Sequence, residues 1–149
     1  MGTTSLNTLL PFWMNNLSEA SGSESSGKFR NPKLFLQKGR SVFKEGVPMV
    51  QEHIRDHLES LDIEIGNVRR LWLHQANLSM NQLITKRLLG RDPEDNEMPI
   101  ILNEYANTSS AGSIIAFHKN KNDFTSDQIG VISSFGAGYS VGSVILRKL

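Results

Sequence analysis

Helical and extended hydrophobic patterns alternate from Gly39 to the carboxyl terminus, and few architectures accommodate that order. Over residues 39–61 the apolar positions Val42, Phe43, Val47, Val50, Ile54, Leu58 and Leu61 recur with the 3.6-residue period of an amphipathic helix. Pro48 lies inside this stretch and is expected to kink or break it near its start. Residues 68–73 then read as a short strand ending at His74. A second helix is predicted over 77–89, with Asn77 as N-cap, Met80, Leu83, Ile84 and Leu88 as its buried stripe, and Gly90 as its stop. Residues 99–102 predict a brief strand, 109–119 a helix, and 129–135 and 141–146 two closing strands. Helical crossovers between strands favour parallel pairing, whereas a tight turn makes the last pair antiparallel. The expected class is α/β, with a mixed, mainly parallel sheet covered by helices.

Composition narrows the function. Sixteen Lys+Arg stand against 15 Asp+Glu among 149 residues, so the chain is not a strongly basic nucleic-acid binder. The absence of cysteine excludes a disulfide scaffold, a thiolate-ligated metal and a cysteine nucleophile on this chain. The start MGTTSLNTLLPFW lacks the basic region of a secretory signal, and no apolar run approaches the ~20 residues needed to span a bilayer, so the expectation is a cytoplasmic protein without a membrane partner. Apolar residues at helical spacing over 6–17 predict a short helix interrupted by Pro11, and the Ser/Gly-rich stretch 18–27 predicts a flexible loop. Residues 1–31 are therefore expected to form a variable, partly flexible segment, with the folded part at 32–149.

In open α/β sheets chemistry sits beyond the carboxyl ends of strands. Three motifs fall there: Trp72-Leu73-His74-Gln75-Ala76-Asn77, then Glu104-Tyr105-Ala106-Asn107-Thr108-Ser109-Ser110-Ala111-Gly112-Ser113, then Ser134-Phe135-Gly136-Ala137-Gly138-Tyr139-Ser140-Val141-Gly142-Ser143. Taken singly, each has an ordinary structural explanation. His74 alone suits a satisfied strand-end histidine, Asn107 a helix N-cap, Phe135 core packing, and the glycine turn a tight connection. A phosphate-binding role for that turn fails, because no helix follows it. His53 and His57 stand four apart on the first helix without a third ligand, and read as surface residues; His118 reads as an exposed side chain at a helix end.

In this order and spacing the three motifs resemble the carboxyl-terminal half of β-ketoacyl-acyl-carrier-protein synthase III, a thiolase-fold condensing enzyme. The resemblance covers roughly Lys33 to Leu149. It implies a thiolase-like half-domain and an acyltransferase that decarboxylates a malonyl thioester and condenses it with an acyl-enzyme. It further implies that His74 and Asn107 donate hydrogen bonds to the enolate oxygen, and that Phe135, Gly136, Ala137 and Gly138 form the acyl pocket and a backbone oxyanion site. Acyl-CoA or acyl-carrier protein and malonyl-carrier protein are the implied substrates, with no cofactor or metal. The nucleophilic cysteine of the family belongs to the amino-terminal half, so the implied partner is a cysteine-bearing half or subunit, in a dimeric assembly. The arginine that often follows the first motif, linked with carrier-protein docking, is Ser79 here. Lys86, Arg87 and Arg91 are the nearby basic side chains, on a face that by charge alone reads as solvated. A non-catalytic subunit of the same fold, binding acyl thioesters or a partner, is the alternative.

Overall fold

The computed structural model describes residues 39–136 and 138–149. The helix expected at 6–17, the loop at 18–27 and the variable segment at 1–31 lie outside the described residues. Helix α1 spans Gly39–Glu59 and runs through Pro48 without a break. The reason is where the proline sits. Pro48 is exposed, so the carbonyl one turn earlier, deprived of its amide partner, faces water. On the opposite side Val47, Val50, Ile54 and Leu58 are buried and hold the helix down.

Strand β1, Val68–Leu73, leads into helix α2, Leu78–Leu89. Both α2 caps follow the sequence. Asn77 Oδ1 accepts the Met80 N–H at 2.8 Å, and Gly90 closes the helix in the left-handed region at φ 71°. A one-turn helix α3, Leu102–Tyr105, precedes helix α4, Ala111–Lys119, and the strands β2, Ile129–Gly136, and β3, Ser140–Arg147. The sheet order is β1-β2-β3; β1 pairs parallel to β2, with Trp72 opposite Ile132, and β2 pairs antiparallel to β3.

Residues 99–102 do not form the expected strand. Pro99 has no N–H to give a ladder, and the Gln75 side chain takes up the Pro99 carbonyl and the Ile101 N–H at 3.3 and 3.1 Å. With both groups engaged by one side chain, the segment does not join the three-stranded sheet. Just before this segment, the Glu97 carbonyl accepts the Leu71 N–H at 2.7 Å at the sheet edge.

Alternation along β1 divides the core in two. Leu71 and Leu73 pack with α1, α2 and Val131 on one face, while Trp72 packs with Ile101, Ala116 and Phe124 on the other, beneath α4. Among the described residues no helix is long and apolar enough to cross a membrane.

Arg70 anchors the second face. Its side chain is 2% exposed and forks onto both Asp123 carboxylate oxygens at 2.7 Å, while Nε donates to the Asn96 carbonyl at 2.6 Å. These hydrogen bonds hold the Asp123 carboxyl well below its usual range, to about 2. A depressed carboxyl pKa stabilises the fold above the unfolded-state value and ceases to do so as pH falls. The contribution is therefore lost between about pH 4 and pH 2. Asp123→Asn is expected to cost about 1.5 kcal/mol at pH 7, the low end for charged hydrogen bonds because the carboxylate is exposed. It should also flatten the acid limb of stability. Melting parent and variant at pH 2.5 and pH 7 checks this, since equal acid losses in both would disconnect the pair from acid stability.

Candidate active site

The carboxyl ends of the parallel strands β1 and β2 open on the same side of the sheet, which places His74 and Phe135 together. The His74 ring meets the Phe135 ring edge-on, with centroids 4.6 Å apart. His74 is 7% exposed, and its Nδ1 is buried with no protein partner among the described residues. Burial pushes its pKa below the ordinary 6.5, and the neighbouring Ser109 backbone opposes that shift in part. The imidazole is accordingly neutral at pH 7, carrying one N–H donor and one acceptor nitrogen.

Asn107 follows α3 on an exposed loop. It does not cap α4, whose N-cap position is Ser110. Instead its Oδ1 accepts the Ser109 N–H at 2.9 Å. With the oxygen engaged, the Nδ2 amino group is the end of the amide left to donate. The backbone on either side is held in unusual conformations. Ala106 has φ 53° and ψ −156°, a region otherwise occupied by glycine, and Ser109 has φ 58°. Strain of this kind costs on the order of 1–3 kcal/mol and persists only where surrounding structure enforces it. His74 and Asn107 thus both bear on Ser109, one through its backbone beside the ring and the other through its N–H.

Of the expected turn, Gly136 ends β2, Gly138 adopts φ 75° and Tyr139 φ 53°; Ala137 lies outside the described residues. Phe135 and Gly136 line a groove of about 820 Å³ between α4 and the β2–β3 hairpin. Ser109, Ile114, Ile132 and Val144 are among its other lining residues, and Ile114 and Val144 are more than half exposed. The half-buried Phe135 also packs against the main core, so wall and core packing both describe it. The α4 segment is covered on one side only by described residues: Gly112, Ser113 and Ala116 are buried, whereas Ile114 is open.

Other expected positions fall away from this site. His53 and His57 are not surface residues. They are half-buried between α1 and β3, where His57 Nδ1 and His53 Nε2 lie 2.7 and 3.0 Å from the same Ser143 hydroxyl. Their four-residue spacing places both on the helix face that meets β3. His118 is exposed at the end of α4, and Ser79 is exposed near the start of α2. Lys86 and Arg91 pair with Asp92 and Glu97, which leaves Arg87 as an exposed basic side chain of that group. Gln75, named in the first motif but given no role there, is fully buried and linked to the segment before α3. No periodicity marks such a residue; a glutamine beside a strand-end histidine is the available signal.

The crystal structure of 3-oxoacyl-[acyl-carrier-protein] synthase III from Aquifex aeolicus has the same fold, with a TM-score of 0.71 and 26% identity, over 79% of this chain and 38% of that one. A mixed sheet between helical layers, with its site at the ends of parallel strands, is thus the thiolase-like architecture of condensing enzymes. The chain belongs to the family described as 3-oxoacyl-[acyl-carrier-protein] synthase III C terminal, which matches residues 58–148. A β-ketodecanoyl-[acyl-carrier-protein] synthase of Pseudomonas aeruginosa is 58% identical over 134 residues, or 90% of this chain and 38% of that relative. A β-ketoacyl-[acyl-carrier-protein] synthase III of Pyropia yezoensis is 35% identical over 111 residues, or 73% of this chain and 33% of that relative. The chain therefore spans well under half the length of these relatives.

Proposed function

We propose that this chain supplies the enolate-stabilising part of a β-ketoacyl synthase, working with a cysteine-bearing half that holds the acyl group. The observation that carries the proposal is a buried His74 against Phe135 at the end of β1, with Asn107 tied through its Oδ1 to Ser109, whose backbone neighbours the imidazole. Decarboxylation of malonyl-acyl-carrier protein drives negative charge onto the thioester oxygen. Two fixed neutral donors aimed at that oxygen lower the barrier without reorganising. A neutral imidazole suits the task, since an imidazolium would surrender its proton to the enolate. Burial keeps His74 neutral, and the pinned Oδ1 leaves the Asn107 amino group to donate. The backbone N–H groups of the turn around Gly136, Ala137 and Gly138 are the proposed donors to the acyl-thioester oxygen, and Phe135 the proposed wall of the acyl site.

The nucleophile must come from elsewhere, because the chain contains no cysteine. The open apolar groove on α4 and β3 suits the second half of such an enzyme, and the assembly is proposed as a dimer of the completed unit. The name of the Pseudomonas relative points to a ten-carbon product. Since malonyl condensation adds two carbons, an eight-carbon acyl thioester, carried by coenzyme A or carrier protein, is the proposed primer.

The test separates the chain from its complement. Incubated alone with labelled octanoyl-CoA, it should acquire no stable thioester label, because it has no thiolate. Coexpressed with the amino-terminal half of a cysteine-bearing synthase, it should restore labelling of that half and condensation with malonyl-acyl-carrier protein. Thioester labelling of the chain alone would refute the need for a second half. Stable association without turnover would make it a non-catalytic binding subunit instead.

A further inference from the structure

We infer that Gln75 is the positioning residue that holds the two proposed enolate donors in one frame; the inference rests on the roles proposed above for His74 and Asn107. Gln75 is completely buried, and its amide is engaged at both ends. Its Nε2 donates to the Leu73 carbonyl at 2.9 Å, immediately before His74, and to the Pro99 carbonyl at 3.3 Å. Its Oε1 accepts the Ile101 N–H at 3.1 Å, at the start of the one-turn helix that delivers Asn107. Its aliphatic stem meets the helix that follows Asn107. A Cβ at Gly112 would lie 2.9 Å from Gln75 Cβ and 3.0 Å from Cγ, so α4 sits directly on the side chain.

One side chain therefore touches the end of the His74 strand, the segment entering the Asn107 loop and the helix leaving it. The strained residues Ala106 and Ser109 lie between those last two attachments. Strain at a site persists where the surroundings over-determine the backbone, and Gln75 provides such attachments on both flanks of the loop. The chemistry also selects the residue type. Two carbonyls and one N–H require a group with two donors and an acceptor on a single planar head, which an amide has and a carboxylate lacks. Methionine matches the length and volume of glutamine but satisfies none of the three groups.

The experiment uses the 149-residue chain labelled with nitrogen-15 and followed by NMR, with Gln75→Met and Gly112→Ala as variants. The Asn107 side-chain amide resonances are expected to shift toward random-coil positions in both. Exchange of the Ile101 amide should accelerate about 10-fold or more in Gln75→Met, as expected for a lost hydrogen bond that gates local opening. The His74 titration midpoint should rise toward its ordinary value as the ring loses its enclosure. Gln75→Glu supplies a reversible form: its carboxylate opposes two carbonyls at pH 8, whereas the protonated acid at low pH donates to one of them and accepts from Ile101, restoring the Asn107 signals. A structural role alone would lower the melting temperature and leave the Asn107 amide and the His74 midpoint of the folded variants unchanged, and that result overturns the inference. Should Gln75→Met fail to fold, the pH-reversible Gln75→Glu variant decides, because a methyl at Gly112 would also lie 3.3 Å from Thr108 Oγ1 beside Asn107. No substrate enters these measurements, so their failure is separate from failure of the enolate role, which decarboxylation rates decide.

Discussion

In an enzyme completed by a cysteine-bearing half, His74→Ala and Asn107→Ala are each expected to slow malonyl decarboxylation about 100- to 1000-fold, the usual cost of one lost oxyanion donor. Acylation of the partner cysteine should change far less, because its oxyanion is proposed to be held by backbone N–H groups of the turn beyond Phe135. The double variant should fall short of the product of the singles, since both donors act on one oxygen. The pH profile carries a second signature. Burial pushes the His74 pKa below the ordinary imidazole value, so the acid limb of decarboxylation should have its midpoint below pH 6.5, with the rate falling as the ring takes up a proton. Measuring carbon dioxide release and cysteine acylation separately on the same preparations decides the assignment. An Asn107→Ala enzyme that decarboxylates at the parent rate removes Asn107 from it, and equal losses in both half-reactions would reduce either residue to a scaffold.

Much of the frame around these residues was legible from the chain itself, and the exceptions share a cause. The Asn77 and Gly90 caps are local, each decided by a few neighbouring residues, and α2 begins and ends where they stand. The buried stripe of α1 is equally a matter of spacing. What escaped depended on contacts between distant segments. Residues 99–102 carry strand-like side chains, but the Gln75 amide takes the groups a strand would use. Pro48 reads as a breaker until the structure places it on the exposed side of α1, where a carbonyl left without its amide partner costs least. His53 and His57 read as surface side chains until β3 brings Ser143 against them. At the site itself, His74, Asn107 and Phe135 stood out through the order of three motifs, whereas Gln75 lay inside the first motif with no pattern to mark its attachments.

Gly130→Ala is expected to be the most damaging single-methyl change in the fold. Gly130 lies on β2 with the Trp72 ring directly over it. A Cβ there would come 2.3 Å from Trp72 Cζ3, 2.9 Å from Cη2 and 3.2 Å from Phe124 Cζ. The ring has no room to yield. Trp72 is fully buried and wedged edge-on against Phe117 and Phe124, with centroids 5.0 and 5.4 Å away. Overpacking of this kind costs about 3 kcal/mol, a large share of the 5–15 kcal/mol typical of a domain's stability. The damage should also reach the site, because Trp72 lies on the strand that ends at His74, and a displaced strand carries the imidazole away from Phe135. Trp72→Phe should relieve part of the clash, so the double variant is expected to be less destabilised than the sum of the two singles. Denaturation midpoints for the parent, both singles and the double form the complete cycle. A Gly130→Ala protein within about 0.5 kcal/mol of the parent, the usual range for an innocuous surface change, would show that the tryptophan does not rest on this glycine and that β1 is set by other contacts.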